Sequence, residues 1–435
     1  MARKKEIKEL LNRVLNDIKL SEKEEEDLYS KVEEFLSKLK DKIKKEKFKA
    51  DVFLGGSVAK KTLIKKHDYD VDIFVRFNKK TKEDEINNLV KKLVVLDGFR
   101  GEIVKGSRDY IRFRDTEHAG KMIFEVVPII KITMPKNARN VTDLSVFHVN
   151  SIEKCIKKNK KLSDDIKLAK AFIYASGCYG AESYIMGFSG YGIELLTCYY
   201  KNFLKFIESM AESKDRKERL VIDPAKHYKS KKAVLESMNE AKLSSPIILV
   251  DPTFKERNAL AALSDRTFRK FQDYCEEFLK NPKEDFFKPK KIDEEELKKK
   301  ARQKGLEYAK IKAITNKQAG DIAGSKLLKF FRYLTRGLER YFEISEKKFE
   351  YSGEDYANFY FMLKSRKELL IKGPPIISKE NVEKFKAKHK ENFVKEERVY
   401  AKESIELSPS QFFMNFQNEN KKFMLDMGII KINLE

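Results

Sequence analysis

Two acidic side chains lie in a segment with the alternating pattern of a β-strand. Asp70 and Asp72 are two residues apart, and residues two apart in a strand project from the same face. Val71, Ile73 and Val75 then point to the opposite face, into a hydrophobic core. Two adjacent carboxylates repel each other unless a cation lies between them, and Mg²⁺ prefers oxygen ligands. The pattern predicts a Mg²⁺ site, although an isolated pair of this kind is more often a solvated strand face.

A glycine-rich turn precedes these acids along the chain. Gly55, Gly56 and Ser57 end a short predicted strand and open a predicted helix. They offer backbone N–H groups, a hydroxyl and a helix N-terminus to a phosphate. Lys60 and Lys61 add positive charge on the first helical turn. A Gly-Gly-Ser sequence alone is usually only a turn, but its position ahead of the two acids favours phosphoryl transfer from a metal-bound triphosphate.

A third acid, Glu125, stands in the apolar segment Met122–Pro128. A carboxylate in an apolar strand is costly to bury unless it binds a partner. Glu125 is therefore the candidate to complete a metal site with Asp70 and Asp72. An inward-facing salt bridge to an arginine would satisfy the same carboxylate.

The net charge indicates an anionic partner. The 435 residues include 92 Lys and Arg against 69 Asp and Glu, a net charge of +23, and 41% are hydrophobic. That hydrophobic content excludes a disordered polycation. A cationic surface gains affinity for nucleic acid by releasing counterions. An anionic membrane surface is the competing partner, and a Lys-rich proteome would explain the charge without any partner.

Several other classes of protein are excluded. The chain has no uncharged apolar stretch of about 18 residues, so we expect no membrane span. Its N-terminus lacks the apolar core of a signal peptide. The four cysteines form no CxxC pair, which argues against a zinc ribbon or a disulfide framework. We therefore expect a reduced, cytoplasmic protein.

The order of elements predicts an α+β multidomain protein. Helices are expected within 4–46, strands near 51–54, 70–77, 101–114 and 121–133, and a helix near 82–96. From 151 the pattern turns helical, including a helix over 190–212 and one from Asp251-Pro252 through Leu263, with Arg257 early in it. The segment Asn281–Lys300 is the best linker candidate. We expect domains at 1–150, 151–268 and 269–435.

At this point the motifs resemble a known family. GGSVAKKTL and DYDVDIF resemble the nucleotidyltransferase signature of the DNA polymerase β superfamily. EVVPIIKI, TDLSVFHV, KLAKAFIYASGCYGAESYIMGFSGYGIELL and VDPTFKERNALAALS follow in the order typical of class I, archaeal-type CCA-adding tRNA nucleotidyltransferases. The resemblance covers residues 45–270 and continues more loosely through Gly373-Pro374-Pro375 and Glu397–Ala401.

The resemblance implies a role for individual residues. The carboxylates that would bind metal and catalyse are Asp70, Asp72 and Glu125. The residues that would bind the nucleotide are Gly56, Ser57, Lys60, His148, Lys170, Tyr179, Arg257 and Asn258, with Arg257 in the position of the base-reading arginine. The sequence departs from the family pattern where Glu125 replaces the usual Asp, which adds one methylene, and where Ser145 and Val146 replace Thr and Pro.

The resemblance also implies an activity and an architecture. The enzyme would use Mg²⁺, CTP and ATP to add C, C and A to the 3′ end of tRNA without a nucleic-acid template. The three domains would be a polymerase-β-like catalytic head, a mainly helical nucleotide-binding neck, and an α/β C-terminal tRNA-binding body and tail. We expect the tRNA surface mostly in the C-terminal half, over 326–341 and 384–400. A homodimer is compatible with the sequence.

Two alternatives remain open. Another RNA nucleotidyltransferase, such as a poly(A) or oligoadenylate polymerase, would carry the same acids and differ in nucleotide preference. A non-catalytic tRNA-binding protein would retain the scaffold without turnover, and the Glu125 departure is its only support.

Overall fold

The computed structural model describes residues 2–66, 68–115, 122–214 and 218–435. The chain divides into two compact units, Met1–Lys290 and Lys291–Glu435. This boundary falls within the linker candidate Asn281–Lys300. The expected borders at 150 and 268 lie within helices Ser145–Lys158 and Asp265–Lys280, so the three-domain division stays a prediction.

The first unit begins with two helices and a six-stranded sheet. Its elements are α1 (Ala2–Ile18), α2 (Glu22–Lys45), β1 (Ala50–Leu54), α3 (Gly56–Ala59), β2 (Tyr69–Phe77), α4 (Glu83–Leu93), β3 (Val95–Leu96), β4 (Phe99–Val104), β5 (Tyr110–Asp115) and β6 (Met122–Ile130). The strand order is β1-β2-β6-β5-β4-β3, and the β2–β6 pair is parallel. The strand expected near 121–133 begins at Met122, with residue 121 outside the described residues.

One face of this sheet packs against α2 and α4 in a hydrophobic core. Val71, Ile73 and Val75 are buried there, as the alternation predicts, and Phe35 of α2 stacks on Phe124 of β6 with ring centroids 4.1 Å apart. Burial of these side chains on one face leaves the acids of β2 on the other.

The rest of the first unit is mainly helical. It contains α5 (Ser145–Lys158), α6 (Leu162–Ala175), α7 (Gly190–Tyr200), α8 (Phe203–Glu212), β7 (Leu220–Ile222), α9 (Lys231–Ser237), α10 (Glu240–Leu243), β8 (Ile247–Asp251), β9 (Phe254–Asn258) and α11 (Asp265–Lys280), with 3₁₀ turns at Pro135–Asn137, Val141–Leu144 and Glu284–Phe287. The core centres on Phe172, whose ring contacts those of Phe203, Phe271, Phe278 and Phe287.

Two expected helices differ in the structure. The helix over 190–212 is interrupted because Lys201 adopts a left-handed φ of 66°, and the Asn202 side chain then caps α8 at the Lys205 N–H. The prediction of a helix from Pro252 to Leu263 is wrong. The Asp251 carboxylate instead accepts the N–H and hydroxyl of Thr253, which turns the chain back into the β8–β9 hairpin.

The second unit holds two antiparallel sheets. Its elements are α12 (Glu294–Gln303), β10 (Glu307–Thr315), α13 (Asp321–Tyr341), β11 (Phe342–Glu350), β12 (Tyr356–Ser365), β13 (Glu368–Pro375), α14 (Lys379–Lys388), β14 (Asn392–Lys395), β15 (Arg398–Ser404), α15 (Pro409–Glu419), α16 (Lys421–Asp426) and β16 (Ile429–Leu434). The sheets have the orders β11-β12-β10-β16 and β13-β15-β14. Leu327, Phe330 and Leu334 of α13 are buried in the core.

The described helices include none that is both long enough and apolar enough to span a lipid bilayer.

Candidate active site

The parallel pairing of β2 and β6 brings the acids together. Asp72 lies opposite Glu125, and Asp70 opposite Ile123. Asp70, Asp72 and Glu125 therefore share one face of the sheet, which we call the acid face. Burial, together with the negative charges of Glu125 and Asp70, raises the pKa of Asp72 to about 7.

Glu125 is also paired with an arginine of the adjacent strand. Arg112 of β5 lies opposite Glu125, with Arg112 Nη2 3.0 Å from Glu125 Oε1. Burial raises the pKa of Glu125, with Arg112 opposing this shift. Sequence analysis gave two interpretations of Glu125, a metal ligand or an ion pair with an arginine. In the structure Glu125 pairs with Arg112 and also shares a face of the sheet with Asp72.

The two glycines let the turn lie directly against β2. The Gly55 N–H donates to the carbonyl of Asp72 at 2.8 Å. Gly56 has a φ of +59°, and a Cβ there would overlap the Asp72 carboxylate. A Cβ at Gly55 would overlap the Phe74 ring. Close approach to β2 requires both glycines, and Gly56 also adopts a backbone conformation that other residues rarely adopt. The turn places Ser57 in the first turn of α3.

Two predicted phosphate-binding lysines meet at a buried glutamate. Lys60 Nζ lies 2.5 Å from Glu194 Oε2, and Lys170 Nζ lies 2.7 Å from Glu194 Oε1. Thr62 donates to the same carboxylate and accepts from Lys170. We call Lys60, Thr62, Lys170 and Glu194 the lysine cluster. Its two cations and one anion leave a net positive charge, and both lysines act on Asp72 by lowering its pKa.

Sequence analysis did not single out Glu194. Its side chain is 1% exposed in the apolar helix α7, just as Glu125 stands in an apolar strand. The criterion applied to Glu125, a carboxylate in an apolar segment, would have identified Glu194 as well. Its two lysine partners are distant in sequence and could not be assigned without the fold.

The Tyr179 ring lies close to Lys66, a lysine that sequence analysis did not select. Lys66 Nζ is 5.3 Å from the centroid of the Tyr179 ring and 4.9 Å from that of Tyr174. Burial lowers the pKa of Lys66, opposed by the charge of Asp70. Burial also raises the pKa of Tyr179, and Glu194, Asp72 and Asp70 raise it further through their charges. Tyr179 is thus near both the acid face and the lysine cluster.

Arg257 and His148 converge on a third buried carboxylate. Arg257 lies on strand β9, not on a helix, and its Nη1 is 2.7 Å from Asp251 Oδ2. His148 Nε2 is 3.1 Å from the same oxygen, and its ring stacks on Tyr191 with centroids 4.1 Å apart. We call Asp251, Arg257, His148 and Tyr191 the arginine cluster. Burial lowers the pKa of His148, the hydrogen bond and charge of Asp251 oppose this shift, and the charges of Arg257 and Lys60 add to it.

The expected contact of Asn258 with a nucleotide is not supported. Its Oδ1 accepts from the N–H groups of Leu249 and Leu260, and its Nδ2 donates to the carbonyls of Lys242 and Ile247. These four hydrogen bonds use the full capacity of the amide. We therefore assign Asn258 to the scaffold of the β8–β9 hairpin, which carries Arg257.

The acid face has the donor set that Mg²⁺ prefers, since all its ligands are carboxylate oxygens. The raised pKa of Asp72 marks a carboxylate whose charge lacks a matching cation. The residues thus fit a divalent cation. In the described part of the chain, however, no three His, Cys, Asp or Glu side chains converge closely enough to enclose a metal ion.

The comparisons with known proteins agree with this geometry. Residues 6–145 match the family described as Second Messenger Oligonucleotide or Dinucleotide Synthetase domain, and residues 164–288 match tRNA nucleotidyltransferase, second domain. The fold is similar to a solved cytoplasmic RNA terminal U-transferase (TM-score 0.50) and to Cid1, an RNA terminal uridylyl transferase (TM-score 0.52). Each is 15% identical and covers 66% of this chain and 99% of its own.

Fold and site together define a nucleotidyltransferase of the polymerase β type. The chain is 32% identical to the CCA-adding enzyme of Nanoarchaeum equitans, over 80% of this chain and 83% of that one. It is 28% identical to the CCA-adding enzyme of Methanocaldococcus jannaschii, over 91% and 87%. This chain belongs to the family of archaeal CCA-adding enzymes.

Proposed function

We propose that this enzyme adds CCA to the 3′ end of tRNA from CTP and ATP. The 3′-hydroxyl of the RNA attacks the α-phosphate of the nucleotide, a new phosphodiester bond forms, and pyrophosphate leaves. The observation that carries the proposal is the lysine cluster beside the acid face, on a chain whose relatives are CCA-adding enzymes. Cytoplasmic action and a homodimer are the accompanying predictions.

The acid face would hold the metal. Asp70, Asp72 and Glu125 would bind Mg²⁺, which supplies neutralisation of the triphosphate and lowers the pKa of the attacking hydroxyl. Because Arg112 also pairs with Glu125, this longer acid keeps a fixed orientation. That fixed position supports its acting in place of the usual Asp.

The lysine cluster would bind the triphosphate. Lys60 comes from the turn after α3, and Lys170 from α6. Both ammonium groups are largely withdrawn from water, where a charge–charge interaction with phosphate is stronger than at the surface. Ser57 and Gly56 would add a hydroxyl and a backbone N–H at the turn. Tyr179 would border the triphosphate on the same side.

A basic stripe in the second unit would contact tRNA. Lys329, Arg332, Arg336 and Arg340 are exposed and spaced three or four residues apart on α13, so they occupy one face of the helix. Such a stripe binds a nucleic-acid backbone by charge and shape rather than by sequence. This supports the expectation of a tRNA surface within 326–341.

The test uses three tRNA transcripts, which end before CCA, after C and after CC. Each is incubated with Mg²⁺ and labelled CTP or ATP, offered separately. We expect CTP incorporation on the first two and ATP incorporation on the third. The Asp70→Ala/Asp72→Ala variant should incorporate neither while still binding tRNA. Long A tails would favour a poly(A) polymerase, and salt-sensitive tRNA binding without turnover would favour a non-catalytic tRNA-binding protein.

A further inference from the structure

Asp251 accepts more hydrogen bonds than its place at the end of β8 requires. Its carboxylate is fully buried and interacts with five groups. These are Thr253 N (2.8 Å), Thr253 Oγ1 (2.7 Å), Tyr191 Oη (3.1 Å), Arg257 Nη1 (2.7 Å) and His148 Nε2 (3.1 Å). The three contacts at Oδ1 orient the carboxylate, so that Oδ2 is presented to the arginine and the histidine.

These contacts fix the charge of Asp251 as well as its orientation. Burial acts to raise the pKa of Asp251, but the hydrogen bonds from His148 and Thr253 outweigh it and hold the pKa well below its ordinary range. A buried, ionised carboxylate is costly unless cations and donors surround it. The arrangement therefore holds Arg257 and His148 to Asp251 more firmly than a surface pair would be held.

The guanidinium of Arg257 keeps donors available. Its side chain is 25% exposed, and its carbon lies 5.7 Å from the centroid of the Tyr191 ring. Among the described residues, the Arg257 side chain donates to Asp251 through Nη1, and the same nitrogen lies 3.4 Å from His148 Nε2. The planar fork is thus anchored at one nitrogen, and its other N–H groups can donate to a ligand.

We propose that Asp251 is a positioning residue that aligns Arg257 to read the base of the incoming nucleotide, and so sets base selectivity rather than the rate of phosphoryl transfer. This inference rests on the proposed function. Cytosine and adenine present an unprotonated ring nitrogen on the Watson–Crick edge, where uracil and guanine present an N–H. An arginine N–H fixed at this place can donate to the ring nitrogen of cytosine or adenine. It disfavours uracil and guanine, because their ring N–H would face another donor.

The chain offers a matched control. Asp223 directly follows strand β7, precedes Pro224, and accepts a backbone N–H, that of Tyr228, at 2.9 Å. Strands β7 and β8 are parallel neighbours, so the two Asp-Pro exits lie side by side. Asp251 differs in carrying the arginine and histidine contacts.

The experiment measures selectivity for each variant as a ratio of kcat/KM values. The ratios are CTP over UTP on tRNA ending before CCA, and ATP over GTP on tRNA ending after CC. We expect Asp251→Asn to lower both ratios at least tenfold, with inhibition by pyrophosphate unchanged within about twofold. Asp223→Asn should keep the wild-type ratios. Equal losses for correct and wrong nucleotides, or the same loss in Asp223→Asn, would overturn the proposal.

A double-mutant cycle tests the proposal even where Asp251→Asn lowers stability. Arg257→Lys removes the planar fork and should lower both ratios as much as Asp251→Asn does. If Asp251 acts through Arg257, the double variant should be no less selective than Arg257→Lys alone. Multiplying losses would overturn the proposal. A wild-type protein that adds neither C nor A would instead overturn the proposed function, and this inference with it.

Discussion

Three carboxylates arrange the basic side chains around the candidate site. Glu125 holds Arg112, Glu194 holds Lys60 and Lys170, and Asp251 holds Arg257 and His148. Glu194 and Asp251 each join basic side chains from two different elements. The lysine and arginine side chains are therefore in place before a nucleotide binds, which lowers the entropy lost on binding.

The first prediction concerns the stability that Glu194 contributes. Glu194→Gln leaves two buried ammonium groups without their counter-charge. Breaking a buried ion pair by removing one partner costs about 3–5 kcal/mol, and we expect a loss of that size in the free energy of unfolding, measured by urea denaturation. The exposed Glu208 on α8 provides the control, and Glu208→Gln should change stability by less than about 0.5 kcal/mol. Equal effects of the two variants would contradict the assignment.

The same ion pair predicts a dependence on pH. Burial acts to raise the pKa of Glu194, but Lys170 and Lys60 outweigh it and lower the pKa from 4.5 to about 2. A lowered folded-state pKa stabilises the fold fully above the unfolded value and less as the pH falls through the folded value. The stability difference between wild type and Glu194→Gln should therefore be constant above pH 4.5 and shrink between pH 4.5 and 2. A difference that persists at the lower limit would contradict this account.

At the scale of elements, the decisive contact is that of the glycine turn with β2. Gly56→Ala would place a methyl group against the Asp72 carboxylate in a backbone conformation that alanine rarely adopts. We expect at least a hundredfold loss of kcat in CTP incorporation, because the acid face must shift. Gly305→Ala is the matched control, since Gly305 has a φ of +62° and nothing within 4 Å of a new Cβ. Comparable activity of the two variants would show that close approach to Asp72 is unimportant.

The elements differ in how far they could be predicted from the sequence. The alternation in β2 fixed which residues face the core, since a strand has a period of two and Val71, Ile73 and Val75 are all buried. The Asp251-Pro252 pair predicts a helix start equally well, but here the carboxylate caps a hairpin. Sequence alone could not decide between these outcomes, because a cap looks the same in both.

The residues of the candidate site also differ in how far they could be predicted from the sequence. Asp70, Asp72 and Lys60 could be identified because each lies close in sequence to other residues of the predicted metal or phosphate site. Glu194 escaped identification because its lysine partners lie in other elements, far along the chain, and Asp251 because the distant His148 and Tyr191 complete its contacts. Asn258 was selected for its proximity to Arg257 in sequence, which does not show that its amide bonds to the backbone around the β8–β9 hairpin.

At the scale of the whole molecule, we expect the net charge of +23 to strengthen tRNA binding and to make it dependent on salt. Arg332→Ala/Arg336→Ala removes two charges from the basic stripe of α13. We expect weaker tRNA binding and a slope of log affinity against log salt that is smaller by about 1 per arginine. Arg332→Lys/Arg336→Lys keeps the charge and should retain the wild-type slope. An unchanged slope in the alanine variant would place the tRNA surface elsewhere.

The most direct test of the central claim offers the enzyme all four nucleoside triphosphates together. A tRNA transcript ending before CCA is incubated with Mg²⁺ and an equimolar mixture, and the product ends are sequenced. The account predicts products that end in CCA with no further extension, and no extension by Asp72→Asn. Tails of A or U, or an unextended tRNA that the enzyme nevertheless binds, would contradict it.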